Sequence, residues 1–371
     1  MTTMPTPCGR RAWLLRVAAL AASPLGTGPA TAAAPAGADR RFAALTRTAL
    51  PVRQPAKAAL LGAAFAGRRI VSVGERGVVA LSDDEGRSWR QAAAVPTSVT
   101  LTAVRFANAD HGWAVGHGGV ILATEDAGEH WALQADGLRL AVLAQEAAAA
   151  RVADGDARGV GLAKEAGLLV ADGPDKPLLD LLVIDANRVV VAGAYNLFFE
   201  TKDGGRHWRS ALDRLDNPKA QHLYAMRARG DTWLVVGEQG LLLRSRDGGR
   251  SFQRLASPYA GSWFAIALTP QGRWIAAGLR GNAFASDDDG EHWTRLDGAP
   301  PTSFVGASAL PDGSVLLSNQ AGQIFVARPG AALTALPGPN LPPVSQLLPL
   351  PGGDLLAVGL AGAIRLPATP S

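Results

Sequence analysis

The sequence predicts an all-β protein, a seven-bladed β-propeller of four-stranded antiparallel blades. Three observations predict it. A short turn of the form Gly-x-x-Gly recurs along the chain, a second motif follows five of these turns at fixed offset, and the apolar runs around them are short enough for strands. The turns begin at Gly74, Gly116, Gly193, Gly237, Gly278, Asn319 and Gly359, with spacings of 42, 77, 44, 41, 41 and 40 residues. The long interval holds one repeat and an insertion, so a period of 40–45 residues runs through the whole series. Four short strands per such period make one propeller blade.

The second motif is Ser82-x-Asp84-x-Gly86-x-Ser88-Trp89. It returns as Thr124/Asp126/Gly128/Trp131, Thr201/Asp203/Gly205/Trp208, Ser245/Asp247/Gly249/Phe252 and Ser286/Asp288/Gly290/Trp293. Each Asp lies 10 residues after the first turn glycine and each aromatic 15 after it. An Asp and a Ser or Thr two residues apart can accept backbone N–H groups of their own tight turn. The aromatic is expected to open the next strand and to wedge between neighbouring sheets. These residues are therefore folding staples. The run Asp287-Asp288-Asp289 is read as part of the box turn and not as a metal site.

Element by element, Leu101–Phe106, Gly112–Val115, Gly119–Ala123 and His130–Gln134 give the four strands of the second blade. The seventh repeat runs out at Leu366 after three strands. The sequence before the first repeat, Phe42–Leu50, is expected to supply the missing fourth strand and close the ring. Between the second and third repeats lies an insertion, residues 138–176. Leu140, Leu143, Ala144, Ala147, Ala148 and Val152 follow helical spacing, Asp154-Gly155-Asp156 breaks the run, and Val160, Leu162, Ala163, Ala166 and Leu169 predict a second helix. Such a hairpin can pack over a blade edge or read a partner, and both readings stay open.

Residues 1–36 are expected to be an export signal, with a propeller domain over 37–371. Arg10-Arg11 precede a short apolar stretch and an Ala-rich region with small-x-small sites, and the run from Gly9 to Leu14 resembles a twin-arginine signal. The expected location is periplasmic or secreted. The only cysteine, Cys8, lies in that segment, which leaves the mature chain without thiol chemistry. The formal charge of +4 owes three charges to Arg10, Arg11 and Arg16. Without them 33 basic residues face 32 acidic ones, and no nucleic-acid partner is implied. No later run of 18 apolar residues predicts a membrane span in the mature chain. No cofactor and no metal are called for, because His130, His207 and His292 simply precede box aromatics. The expected state is a monomer.

If strands run up and down within each blade, the Gly-x-x-Gly turns share one face with the connections between blades. The insertion leaves from that same face. Glu75, Arg76, His117, Tyr195, Glu238, Gln239 and Arg280 occupy it, and since the repeat does not require them they form the candidate binding surface.

The Asp boxes with Val73–Gly77 and Val236–Gly240 resemble the photosystem II assembly and stability factor family of BNR-repeat, seven-bladed propellers. Asp172–Pro177 and Asp213–Pro218 are similar to that family's proteobacterial, non-photosynthetic relatives. The resemblance covers residues 42–366. It implies a non-enzymatic scaffold that binds a protein or envelope partner, such as a transporter or envelope assembly complex, as an assembly, stability or transport accessory. The family's arginine-rich face is met here only by Arg76 and Arg280, with Gly118, Gln239, Ala321 and Ala361 at the matching turn positions. The alternative is a sialidase-like glycoside hydrolase or carbohydrate-binding propeller. That enzyme needs an arginine cluster, a Tyr–Glu pair and an acid/base Asp. Of its opening Phe/Tyr-Arg-Ile-Pro element the nearest string, Arg68–Val71, keeps only the centre. The expectation is no enzyme.

Overall fold

The computed structural model describes residues 42–339 and 341–367. The expected signal at 1–36 and Cys8 lie outside them. Among the described residues seven antiparallel sheets follow in chain order, six with four strands and the last with three. Blade 1, for example, runs Leu60–Ala66, Arg69–Gly74, Val79–Ser82 and Arg90–Gln91 from the inner strand to the outer. Blade 2 has Leu101–Phe106, Gly112–Gly116, Ile121–Thr124 and Ala132–Ala135, within two residues of the sequence expectation. The second and third strands are buried almost throughout, as in Ile70–Gly74 and Val79–Ser82. They sit between neighbouring blades and cannot show the half-polar alternation of an exposed sheet.

The Asp boxes hold the outer turns as their residue types require. In blade 1, Asp84 Oδ1 accepts from Ser88 N at 2.8 Å and Ser82 Oγ accepts from Gly86 N at 2.7 Å. Asp126 and Asp247 repeat the bond, accepting from His130 N at 2.9 Å and Ser251 N at 3.0 Å. The three acids at 287–289 go to separate partners. Asp287 faces Arg273, Asp288 closes its box with His292, and Asp289 accepts from Arg229 and Trp274.

The box aromatics depart from expectation in two ways. Only Trp208 is the first residue of an outer strand, Trp208–Ser210. Trp89, Trp131 and Trp293 each stand one residue before theirs, which begin at Arg90, Ala132 and Thr294, and Phe252 likewise precedes Gln253. The reason is a bond back into the turn. The indole Nε1 of Trp89, Trp131 and Trp293 donates to the carbonyl of its own box glycine, Gly86, Gly128 or Gly290, at 3.1, 2.9 and 3.0 Å. Trp208 makes no such bond. Its Nε1 donates instead to Gln134 Oε1 of blade 2 at 3.2 Å, which ties two blades through one indole. Burial also divides the set. Trp131 is buried among residues of blades 1 and 2, with its ring 6.3 Å from that of Phe106. Trp208 and Phe252 are buried too. Trp89 and Trp293 are only half-buried at the rim of their clusters, so they cover the edge between blades without wedging into it.

The ring is not closed as expected. Residues 42–50 add no strand to blade 7. Ala43–Thr46 form a short helix, α1, whose Leu45 is buried against blades 1 and 2. The segment is tied to the connection after blade 1, where Ala49 N donates to the Val95 carbonyl and Ser98 N to the Ala44 carbonyl, at 3.0 and 2.9 Å. The physical reason is local. Ala43-Ala44-Leu45 favours helix, while Pro51 and Pro55 cannot donate to a ladder. Closure uses side chains instead. Gln346 of blade 7 grips the backbone of Ala63 in blade 1, accepting from its N at 3.1 Å and donating to its carbonyl at 2.9 Å. Around that clamp, Leu60, Ile70 and Val78 pack with Leu350, Leu356 and Val358.

The insertion forms two helices, α2 over Gly137–Ala153 and α3 over Gly159–Asp172. Asp136 caps α2 by accepting from Arg139 N at 3.0 Å. Leu140, Leu143, Ala144 and Ala148 of α2, with Ala166 and Leu169 of α3, join one apolar cluster with Trp113, Trp208 and Leu212 of blades 2 and 3. Arg151 pairs with Asp156 at 2.8 Å and with Asp213 in the connection after blade 3. The hairpin is continuous with the core.

Candidate functional site

Antiparallel pairing puts the Gly-x-x-Gly turns and the connections between blades on one face, and the Asp boxes on the other. Each turn tucks under the start of its own inner strand. A Cβ on Gly74 would lie 1.9 Å from the Ala59 carbonyl oxygen, and one on Gly116 would lie 2.3 Å from that of Thr100. Close backbone approach therefore fixes the first glycine. The third position of the first five turns has a left-handed backbone, with φ of 54° at Arg76, 68° at Gly118, 53° at Tyr195, 49° at Gln239 and 56° at Arg280. Glycine takes that conformation without strain, whereas four blades place a side chain there and expose it.

The seven sequence-derived candidates separate into groups. Arg76, His117, Tyr195, Gln239 and Arg280 are exposed. Glu75 and Glu238 are half-buried and partly structural. Glu75 Oε1 accepts from Ala59 N at 3.1 Å and Glu238 Oε2 from His222 N at 3.3 Å, each carboxylate capping the entry to an inner strand. Only Tyr195 and Glu238 are brought together, both against His222. Tyr195 N donates to His222 Nδ1 at 2.8 Å and the two rings meet edge to face, 4.6 Å between centroids. Arg76, His117, Gln239 and Arg280 each stand on a separate turn.

From Tyr195 a row of rings runs inward. His222 lies 6.1 Å from Tyr224, and Tyr224 lies 5.2 Å from Phe264. At the outer end Lys176 sits over the Tyr195 ring, 4.7 Å from its centroid. That ammonium is placed by the insertion, since Asp172 at the end of α3 and Asp175 hold it at 2.9 and 2.6 Å. The row thus starts at the foot of the helical hairpin and ends in the central channel.

A backbone irregularity explains why it ends there. Every inner strand carries a one-residue bulge just after its first residue. The skipped residues are Leu61, Thr102, Leu179, Tyr224, Phe264, Val305 and Ser345, and all seven line the central channel. A bulge re-aims the side chain it releases from the ladder. The channel has a volume of about 690 Å³. Deeper in, Asp180 is buried, with Oδ1 at 3.3 Å from Arg105 Nη2 and Oδ2 at 2.8 Å from Arg227 Nη1 and 3.0 Å from Met226 N. Burial lowers the Arg105 pKa, Asp180 opposes that shift and the neighbouring Arg227 adds to it.

Lys176, His222, Tyr224, Phe264 and the Arg105–Asp180–Arg227 cluster escaped the sequence reading. A signal for the bulge residues exists, since each lies 13 or 14 residues before the first residue of its turn. No residue type marks the position, however. Among the described residues no group of three or more His, Cys, Asp or Glu is placed to hold a metal ion. No helix among them is long and apolar enough to cross a membrane.

Residues 170–294 match the family model described as photosynthesis system II assembly factor YCF48. The photosystem II assembly lipoprotein Ycf48 of Synechococcus sp. (strain CC9902) is 28% identical over 122 residues, 31% of this chain and 35% of that protein. Two solved Ycf48 structures superpose along nearly their whole length. One, determined with a D1 peptide, has a TM-score of 0.62 at 17% identity, covering 86% of this chain and 97% of its own. The other, from Cyanidioschyzon merolae, also scores 0.62, at 14% identity, with 86% and 98% covered. Over residues 170–294 the chain is similar to Ycf48, and it shares the fold of the solved Ycf48 structures. The fold alone is more widely shared, for the WD40 propeller of Doa1 gives a TM-score of 0.58 at 11% identity over 87% of this chain and 95% of its own. The chain spans about a third of the length of the curated Ycf48 it matches. The Ycf48 relatives are photosystem II assembly factors.

Proposed function

We propose that the chain is an exported, non-enzymatic scaffold that seats a protein partner on its turn face, as an assembly, stability or transport accessory of the cell envelope. The observation that carries this reading is the row Lys176, Tyr195, His222, Tyr224 and Phe264. Rigid aromatic groups beside a cation are the residue types that dominate protein interfaces, because they bury large areas at little entropic cost. Four turns also tolerate a strained left-handed residue where glycine would relax it, at about 1–3 kcal/mol each. That Ycf48 binds a D1 peptide supports the choice of a polypeptide partner.

The hydrolase reading is weaker on this geometry. Among the described residues that line the channel beside Tyr224 the only acid is Asp180, and Arg105, Arg227 and the Met226 amide already engage it, so no free carboxylate serves as base or acid there.

The test is crosslinking and co-purification of the tagged protein from the envelope fraction, read by mass spectrometry for wild type, Tyr195→Ala and Arg280→Glu. The expected result is a partner recovered with wild type and depleted with both variants. Equal recovery with all three would remove the turn face from the function. Recovery of the unprocessed chain from the cytoplasm alone would remove export.

A further inference from the structure

The charges in the central channel do not balance. Among the described residues that line it, the only charged side chains are Arg105, Asp180 and Arg227. Both oxygens of Asp180 are engaged, and Arg105 and Arg227 also donate Nη1 to the carbonyls of Val104 and Met226, yet the two side chains that line the channel remain 26% and 29% exposed. Two guanidiniums share that one carboxylate, so the locus carries an excess positive charge that is partly desolvated and favours an anion. Guanidinium groups pair with carboxylates through parallel N–H donors, and each carries five, more than Asp180 and the one strand carbonyl occupy.

The position of the pair defines what can reach it. Arg227 lies three residues past Tyr224 along one inner strand, and Arg105 three past Thr102 along another. At about 3.3 Å per strand residue, the guanidiniums stand roughly 10 Å inside the aromatic mouth. An extended polypeptide has the same rise, so its last three residues span that depth. A chain end needs room for one strand, whereas an internal Asp or Glu on a loop needs room for two.

We propose that the channel receives the carboxyl terminus of the partner polypeptide, with its terminal carboxylate on Arg105 and Arg227 and the side chain of its third residue from the end on Tyr224 and Phe264. This deepens the scaffold reading above and rests on it.

The probe is N-acetyl-Leu-Ala-Ala, as the free acid and as the carboxamide, titrated into the mature chain by calorimetry. The acid should bind saturably and more weakly as salt rises, with the amide about tenfold weaker or more, as expected for loss of a charged hydrogen-bonded pair. Arg227→Gln should abolish the preference for the acid. Asp180→Asn removes the competing carboxylate and should tighten acid binding. Equal binding of acid and amide, or no binding of either to wild type, overturns the proposal even where a variant does not fold. If partner recovery still depends on Tyr195 and Arg280 while acid and amide are indistinguishable, the channel proposal fails and the face stands. If recovery ignores those residues while the acid preference holds, the face fails and the channel remains an anion site.

Discussion

The box aspartates show how much one residue holds. Hydrogen bonds from Ser88, side chain first and then backbone, draw the Asp84 pKa down to about 2, and His292, backbone first, does the same for Asp288. His207 holds Asp203 well below the usual carboxylate range. An acid whose folded pKa is depressed adds stability above its unfolded value and loses it as pH falls through the folded one. The melting temperature should therefore fall between about pH 4 and pH 2, and Asp84→Asn should lower it near neutrality while shrinking the acid-induced drop. Identical pH profiles for variant and wild type would contradict the bonding seen in the turns. Among the box aromatics, Trp208 is buried and hydrogen-bonded to Gln134 of the preceding blade. Trp208→Ala is expected to cost about 3–5 kcal/mol in denaturant unfolding. Trp131→Ala should fall near that range, and Trp293→Ala clearly below it, because the half-buried ring gives up less apolar area. The boxes were legible in the sequence because their bonding admits few residue types. The depth of each aromatic was not, since Trp131 and Trp293 share one motif and differ in what the preceding blade lays over them. Channel residues such as Arg105 and Tyr224 were hidden as well, since an inner-strand bulge can release any side chain.

At the scale of elements, the helical hairpin packs one apolar stripe on the blades. Helical periodicity located α2 and α3, but could not tell a partner-reading hairpin from a packed one, because both need an apolar stripe. The stripe here is covered by the propeller, through Leu140, Leu143 and Leu169 against Trp208 and Leu212. Replacing residues 139–175 with a short Gly/Ser linker would uncover those blade residues, and closure entropy of the loop would change little by comparison. The expected outcome is a folded ring with a clearly lower melting temperature and a propeller-like circular dichroism spectrum. An unchanged melting temperature would show the hairpin to be merely appended. The deletion also removes the Asp172 contact that steadies Lys176. A loss of partner binding in that variant would therefore need the Lys176→Ala substitution beside it before it counted for α3 itself.

For the whole molecule, the period of 40–45 residues was enough to give the blade count, since each blade repeats the same bonded turns. Ring closure was not, because nothing in the period says which contacts join the first blade to the last. A sialidase-like activity is not expected. Purified protein should leave a fluorogenic sialoside unhydrolysed, and turnover lost with Tyr224→Phe would refute the scaffold reading. The Gln346–Ala63 clamp has a kinetic meaning as well. It joins residues 283 positions apart. At about 5–20 residues per second, blade 1 leaves the ribosome some tens of seconds before blade 7 exists. During that wait the apolar flank formed by Leu60, Ile70 and Val78 has no native cover. Among the described residues no segment before blade 1 lends a strand to blade 7, so nascent chains must be shielded or remain unfolded until synthesis ends, and truncated chains should aggregate through blade 1.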